Sequence, residues 1–136
     1  MTTNTLSANV DLVRRLYALF GGGDVPGVLE MLSEDVEWAE PENPFNPCAG
    51  TRHGHDGFLE WARIGKESET ILALEPQRFV AQGDTVAVIG RTRCRARPTG
   101  RTYETDFVHV VDLEAGKVRR FQEFFDTFAA AEAFRG

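Results

Sequence analysis

The chain has 136 residues, of which 42% are hydrophobic and 26% charged, a balance typical of one globular domain over residues 1–136. Its net charge of -6 argues against a nucleic-acid backbone or an anionic membrane as a partner. We recognise no signal peptide and no apolar stretch of membrane-spanning length, and Cys48 and Cys94 form no CxxC pair. These features predict a cytoplasmic protein with reduced thiols.

Apolar residues recur at helical spacing over residues 9–20 and predict a first helix, which the three glycines at 21–23 end. Asp24 is expected to cap a second, shorter helix that has Pro26 in its first turn. Tyr17 lies at the edge of the apolar stripe of the first helix. Its simplest interpretation is an amphipathic core tyrosine, although it can also contribute to a pocket.

Residues 36–40 alternate in character and predict a short strand in which Val36, Trp38 and Glu40 share one face. Pro41 prevents its continuation as a central strand. Two interpretations of Glu40 remain open. The strand pattern alone favours a carboxylate that reaches solvent at the rim, whereas burial beside Trp38 would raise its pKa and suit a general base.

Residues 41–55 contain three prolines and two glycines and predict a long loop, a frequent location of lids and binding segments. His53 and His55 match no standard zinc spacing, so we expect a solvated loop without a metal site. A nucleotide-binding glycine motif is also missing, so no cofactor is expected. Asp56 is expected to cap a third helix that runs to about Ser68.

The second half of the chain predicts a four-stranded antiparallel meander. Its first two strands cover residues 77–82 and 85–97, and the last two form a long hairpin within residues 101–126. Four arginines alternate along one face of the second strand: Arg91, Arg93, Arg95 and Arg97. Burying them in a pocket would be costly, so this face is expected to point outwards.

Two connections of that strand to the next are compatible with the sequence. A two-residue loop at 99–100 places Arg93 opposite Asp106 and Arg95 opposite Glu104, and we prefer it to a three-residue loop because it pairs opposite charges. We also expect the outer face to form a homodimer contact. Its apolar members are Ile89, Val108 and Val110.

The final hairpin is predicted to turn through a three-residue loop at 114–116, which places His109 opposite Phe121 and Phe107 opposite Glu123. Side chains alternate between the two faces of a strand, so this hairpin has an aromatic face that carries two ionisable groups. The members of that face are Tyr103, Phe107, His109, Phe121, Glu123 and Phe125.

The order of helix, short helix, strand, helix and meander resembles the cone-shaped α+β fold of the nuclear transport factor 2-like (NTF2-like) superfamily. In that fold a curved antiparallel sheet wraps on N-terminal helices. The likeness rests on GGGDVPGVLEMLSEDVEWAEP, GTRHGHDGF and VHVVDLEAGKVRRFQEFFD. The chain is most similar to the ketosteroid isomerase-like and SnoaL-like polyketide cyclase branch, whose families bind apolar small molecules in the cone.

This resemblance implies roles for individual residues. Glu40, followed by a proline, matches the proton-shuttling base of ketosteroid isomerases, and His109 stands where those enzymes have a protonated aspartate. Their oxyanion tyrosine aligns with Leu16, one residue before Tyr17, which disfavours steroid isomerisation itself. His109 and Glu123 match the histidine and the catalytic acid of SnoaL-like cyclases.

Two functions of different classes follow. The first is an isomerase, cyclase or lyase type of enzyme that removes a proton next to the carbonyl of an apolar compound, with Glu40 or Glu123 as the base and His109 as the oxyanion donor. The second is a non-catalytic cone that binds a ligand or mediates dimerisation, with His109 and Glu123 as a structural pair. The expected substrate-binding residues are Tyr17, Trp38, Phe107, Phe121 and Phe125.

Overall fold

The computed structural model describes residues 3–136, in which helices and strands alternate in the first half and strands dominate the second. The helices are α1 (Thr3–Gly21), α2 (Val25–Glu30), α3 (Gly54–Ser68) and α4 (Thr127–Phe134). The strands are β1 (Leu32–Glu40), β2 (Gly50–His53), β3 (Glu69–Gln82), β4 (Thr85–Ala96), β5 (Thr102–Glu114) and β6 (Lys117–Phe125). The predicted α+β class is therefore confirmed. No helix within residues 3–136 is both long and apolar enough to cross a membrane.

All six strands belong to one sheet in the order β2-β1-β6-β5-β4-β3. Neighbouring strands are antiparallel except β1 and β6, which run parallel. β3 carries two extra residues relative to β4, Leu72 and Gln77, and such bulges bend and twist a strand. On the resulting curved sheet, α1 packs against β3 and β4, and α3 packs against β1.

The first helices form as their sequence patterns predict. Val13 and Leu16, two of the periodic apolar residues of α1, are buried, and so is Val28 of α2. The Asp24 carboxylate accepts a hydrogen bond of 2.9 Å from the N–H of Gly27, as expected of an N-cap. A cap of this kind stabilises a helix by about 1 kcal/mol. The capped second helix closes one side of the space above the sheet.

The β5–β6 turn is shorter than predicted. It has two residues, Ala115 and Gly116, whose φ angles of 52° and 78° correspond to a type I′ turn. The shorter turn shifts the register by one residue, and an extra residue in β6, Arg119, shifts it by one more, so the pairs beyond Asp112 differ by two residues from the predicted ones. The observed pairs are His109 with Glu123 and Phe107 with Phe125, not His109 with Phe121 and Phe107 with Glu123. A shift of two leaves every side chain on its face, so the predicted aromatic face survives.

The β4–β5 connection is longer than either of the two loops considered. It spans residues 97–100 and ends with Gly100 at a φ of 75°. Arg91 consequently pairs with Asp106 at 2.9 Å, and Arg93 lies opposite Glu104. The predicted partners of Arg93 and Arg95 are therefore wrong, since Arg95 lies opposite Thr102. The charged side chains are nevertheless on the outer face, because this register too differs from the preferred one by two residues.

Three predicted boundaries in the middle of the chain are wrong. Residues 50–53 form β2 by pairing with β1, so they are not part of a loop. Helix α3 begins at Gly54 rather than after an Asp56 cap, and the side chain of its N-cap residue makes no capping hydrogen bond. β3 begins at Glu69, eight residues before the predicted start. It accommodates Pro76 because β3 is an edge strand with a bulge beside that proline.

Gly90 on β4 supplies space that the aromatic face requires. A Cβ at this position would stand 2.5 Å from Cζ of Phe107 and would also overlap the carbonyl oxygen of Glu75. We expect Gly90→Ala to lower the free energy of unfolding by about 1–3 kcal/mol, because a buried ring and a strand backbone would both have to move. Urea denaturation measures the change.

Gly21→Ala is the matched control, since a Cβ at Gly21 would have open space within 4 Å. This variant should lose no stability. An unchanged urea midpoint for Gly90→Ala would contradict the close packing of Phe107.

Candidate functional site

A cavity of about 450 Å³ lies between the helices and the inner face of the sheet. This volume is within the range of small-molecule sites. Aromatic and aliphatic side chains make up most of its lining. The exposed lining residues mark its opening: Gly23, Asp24, Lys66, Ile71 and Arg97.

All eight sequence-predicted site residues contribute to this lining. They are Tyr17, Trp38, Glu40, Phe107, His109, Phe121, Glu123 and Phe125. The structure brings them together from α1, β1, β5 and β6. Their roles in binding and catalysis remain predictions.

Stacked rings form one wall of the cavity. Trp38 stacks on Phe121 with ring centroids 4.1 Å apart, because the parallel register places these residues side by side. Phe107 stacks on His109, also at 4.1 Å, from the next position on the same face of β5. These contacts restrict both rings and fix the plane of the imidazole.

Glu40 is buried, with 9% of its surface exposed, so the rim interpretation of this residue is wrong. Nε1 of Trp61 donates to its carboxylate at 2.9 Å, and Nδ2 of Asn46 donates at 2.7 Å. Asn46 is itself held in place, since its Oδ1 accepts from the N–H of Cys48. Nη1 of Arg52 donates to the Cys48 carbonyl at 2.8 Å and fixes the loop further.

The sequence alone does not indicate that Asn46 and Trp61 donate to this carboxylate. A polar residue in a proline-rich loop has no periodic pattern that reveals burial. The contact of Asn46 depends on the loop folding back over the end of β1, and that of Trp61 depends on the packing of α3 against β1. Both are tertiary events.

Glu40 and Glu123 are neighbouring carboxyls that line the same cavity, and the pKa of each depends on the other. Burial raises the pKa of Glu123 well above its ordinary value, and the charge of Glu40 raises it further. Burial also raises the pKa of Glu40, but the hydrogen bonds from Trp61 and Asn46 lower it. Glu123 is therefore the protonated member of the pair, and Glu40 ionises first.

His109 lies between Tyr17 and this carboxyl pair. Its Nδ1 hydrogen bonds with the hydroxyl of Tyr17, and its Nε2 lies 3.5 Å from Oε1 of Glu123. Burial lowers the pKa of His109 to about 3, so the imidazole is neutral at pH 7. A neutral imidazole offers one donor and one acceptor. Burial raises the pKa of Tyr17, as does the nearby Glu123, so Tyr17 stays protonated.

A second polar pair lines the cavity and was missed from the sequence. The hydroxyl of Tyr103 donates to Oε2 of Glu69 at 2.9 Å. Burial raises the pKa of Glu69, the charge of Glu40 adds to this, and the Tyr103 hydrogen bond lowers it, so that the pKa is about 7. The alternation of side chains along β5 does predict that Tyr103 lies on the inner face. Glu69 gave no signal, because the residues after Ser68 show no strand periodicity.

Other reactive groups in the cavity are inert at neutral pH. Burial raises the pKa of Cys48 to about 12 and that of Cys94 to about 11, so neither is a thiolate nucleophile. Residues 3–136 contain no group of three or more His, Cys, Asp or Glu side chains arranged to hold a metal ion. Carboxyl, phenol and imidazole groups are thus the chemistry that the described cavity offers.

The family model for the SnoaL-like domain matches residues 13–121, most of the chain. The chain belongs to this family. A crystal structure of an NTF2-like protein from Burkholderia xenovorans LB400 is 36% identical, with a TM-score of 0.87, and the match covers 96% of this chain and 98% of that one. The NTF2-like fold expected from the resemblance is therefore confirmed.

Two further similar proteins differ in what is known of them. TerC, co-crystallised with polyporic acid, is 31% identical, with a TM-score of 0.82 and coverage of 95% of this chain and 99% of that one. An uncharacterised protein of Mycobacterium tuberculosis (strain ATCC 25618 / H37Rv) is 28% identical over 133 residues, which cover 96% of this SnoaL-like chain and 98% of the relative.

The buried Glu69 predicts a pH dependence of stability. Its folded pKa of about 7 lies above its ordinary 4.5, so its contribution to stability is full below about pH 4.5 and is lost as the pH rises through 7. We expect Glu69→Gln, which cannot ionise, to unfold like the wild type at pH 5. At pH 8 it should be more stable by about 1–3 kcal/mol.

Urea denaturation at both pH values measures this difference. Glu75→Gln, the same change at an exposed position of β3, is the control and should leave the pH dependence unaltered. An equal effect of Glu69→Gln at pH 5 and pH 8 would show that the Glu69 carboxyl does not titrate in this window.

Proposed function

We propose that this protein is a cofactor-free enzyme that moves a proton next to the carbonyl group of an apolar small molecule. The observation that carries the proposal is the pair of neighbouring carboxyls in the cavity, Glu40 and Glu123, of which Glu40 accepts hydrogen bonds from Trp61 and Asn46 while burial keeps Glu123 protonated by raising its pKa. Two titratable groups of this kind are the usual arrangement for a base and an acid in one site. Neutral His109 beside Glu123 adds a third polar group.

Glu40 is the base in the proposed mechanism. Its carboxylate is the ionised member of the pair, and Trp61 and Asn46 hold it in a fixed orientation. It takes a proton from the carbon next to the carbonyl, and the electron pair of the broken C–H bond forms the enolate. Glu123 or His109 donates a hydrogen bond to the enolate oxygen, which develops negative charge in a water-poor cavity.

The fate of the enolate distinguishes the reactions that such a site supports. Return of the proton to a different carbon gives an isomerisation, attack of the enolate on a second carbonyl of the same molecule gives a cyclisation, and loss of a leaving group gives an elimination. Each begins with the same proton transfer. Polyporic acid is a hydroxyquinone, so the co-crystal of TerC supports a carbonyl compound with aromatic character as the ligand class for this chain as well.

Deuterium exchange tests the first step without the natural substrate. The probe is 2-acetylnaphthalene in D₂O, whose acetyl protons are lost from the NMR spectrum as the enolate forms. We expect the wild type to accelerate this exchange, and Glu40→Gln, Glu123→Gln and His109→Gln each to reduce the acceleration by roughly two orders of magnitude or more. The fold and the binding of the probe should persist in all three variants.

Glu34→Gln is the matched control, because Glu34 is an exposed residue of the same strand as Glu40. It should exchange the probe as the wild type does. Binding of the probe without exchange would support the alternative, a non-catalytic binding protein. In that case Glu123→Gln and His109→Gln should instead lower stability by about 1–3 kcal/mol through their lost hydrogen bonds.

We also propose that two copies of the chain associate through the outer face of the sheet. Val108 lies opposite both Ile89 and Phe124, and Phe124 is 50% exposed. Beside this apolar strip, Arg91 bonds to Glu104 and Asp106. A face that carries both signs of charge is complementary to a second copy of itself related by a two-fold axis.

Sedimentation velocity at tens of micromolar protein tests this association. The wild type should sediment as a dimer, and Phe124→Asp should sediment as a monomer, since a charge in the apolar strip would be desolvated on association. Phe45→Asp, at a similarly exposed phenylalanine in the loop after β1, should stay dimeric. A monomeric wild type would contradict the proposal.

A further inference from the structure

The hydrogen-bonded pair of Glu69 and Tyr103 has no part in the proton transfer proposed above. Both residues line the same cavity as Glu40 and Glu123. Tyr103 and His109 lie on the same face of β5, six positions apart. The Glu69–Tyr103 pair is therefore a second polar group of the cavity, close enough to Glu40 for the charge of Glu40 to affect the pKa of Glu69.

The Glu69 pair lies at the end of the cavity nearer to solvent. Nε of Arg97 donates to the backbone carbonyl of Glu69 at 3.3 Å, and Arg97 is one of the exposed residues at the opening. The carboxyl of Glu69 is nevertheless withdrawn from solvent, since burial is the main cause of its raised pKa.

The Glu69–Tyr103 pair can accept a hydrogen bond from a ligand. The hydroxyl hydrogen of Tyr103 is engaged by Oε2 of Glu69, which leaves Oε1 and the phenol oxygen to accept. The pair is therefore complementary to a hydrogen-bond donor on a ligand.

We propose that Glu69 and Tyr103 bind a hydroxyl group of the ligand, at the end remote from its reacting carbonyl. This inference rests on the proposed function, which supplies the carbonyl and its position. A neutral hydroxyl fits better than an ammonium group, because the lining is mostly apolar and Lys66 and Arg97 are at the opening. The ligand class is accordingly an apolar hydroxyketone.

Two ketones that differ only in one hydroxyl test this assignment. 2-Acetylnaphthalene carries the carbonyl alone, whereas 2-acetyl-6-hydroxynaphthalene adds a hydroxyl at the far end of the rings. Isothermal titration should show that the wild type binds the hydroxyketone about tenfold or more tightly. In the double variant Glu69→Gln/Tyr103→Phe this preference should fall to less than threefold. Tyr103→Phe alone, which keeps the carboxylate, should give an intermediate preference.

The preference should also depend on pH, because a carboxylate accepts a hydrogen bond more strongly than a carboxylic acid. Wild-type protein should prefer the hydroxyketone more strongly at pH 7.5 than at pH 5.5, and the double variant should show no such change. The groups that face Glu69 are Glu40 from β1, Cys48 from the loop after β1, Cys94 from β4, Tyr103 from β5 and Glu123 from β6. Of these, the two thiols and the phenol keep their protons below pH 8 because their pKa values are raised, and Glu40 and Glu123 are unchanged in the double variant.

Glu75→Gln is the control on β3 and should keep the full preference. Equal affinity for the two ketones, lack of binding of both, or an unchanged preference in the double variant would each overturn the assignment. The proposed function fails by a different result, the absence of deuterium exchange in 2-acetylnaphthalene. That probe has no hydroxyl, so the two proposals can fail separately.

Discussion

Burial of the Glu40–Glu123 carboxyl pair is the constraint on which the rest of the site depends. Two ionised carboxylates cannot share a water-poor cavity, so one must keep its proton. Trp61 and Asn46 donate to Glu40 and thereby decide which one is charged. Without these donors the proton would have no preferred location, and the pair would not separate into a base and an acid.

The parallel pairing of β1 with β6 creates this carboxyl pair. Trp38 lies beside Phe121 and Ala39 beside Gln122, so the residues that follow, Glu40 and Glu123, emerge next to each other on the inner face. In a sheet, adjacent residues in register have side chains about 5 Å apart. Antiparallel pairing with β5 then places His109 directly opposite Glu123. The backbone register of three strands thus places Glu40, Glu123 and His109 next to one another.

The loop after β1 has a comparable influence on the chemistry. It turns back over the strand end, and Arg52 holds it by donating to the Cys48 carbonyl at 2.8 Å. This brings Asn46 over the carboxylate and converts a position at the edge of the sheet into a buried one. The fold of the SnoaL-like family supplies the cavity, but this local loop sets the protonation of its base.

The sequence by itself determined the α+β class, the element order and the inner face of the hairpin, because these depend on periodicities of 3.6 and 2 residues. The same alternation brought His109, Glu123 and the aromatic residues to one face, and a register error of two residues could not change that. Only the tertiary structure decided the register itself, the strand at residues 50–53 and the burial of Glu40. It also revealed Asn46 and Glu69, because their environment comes from elements distant in sequence and leaves no pattern in their own neighbours.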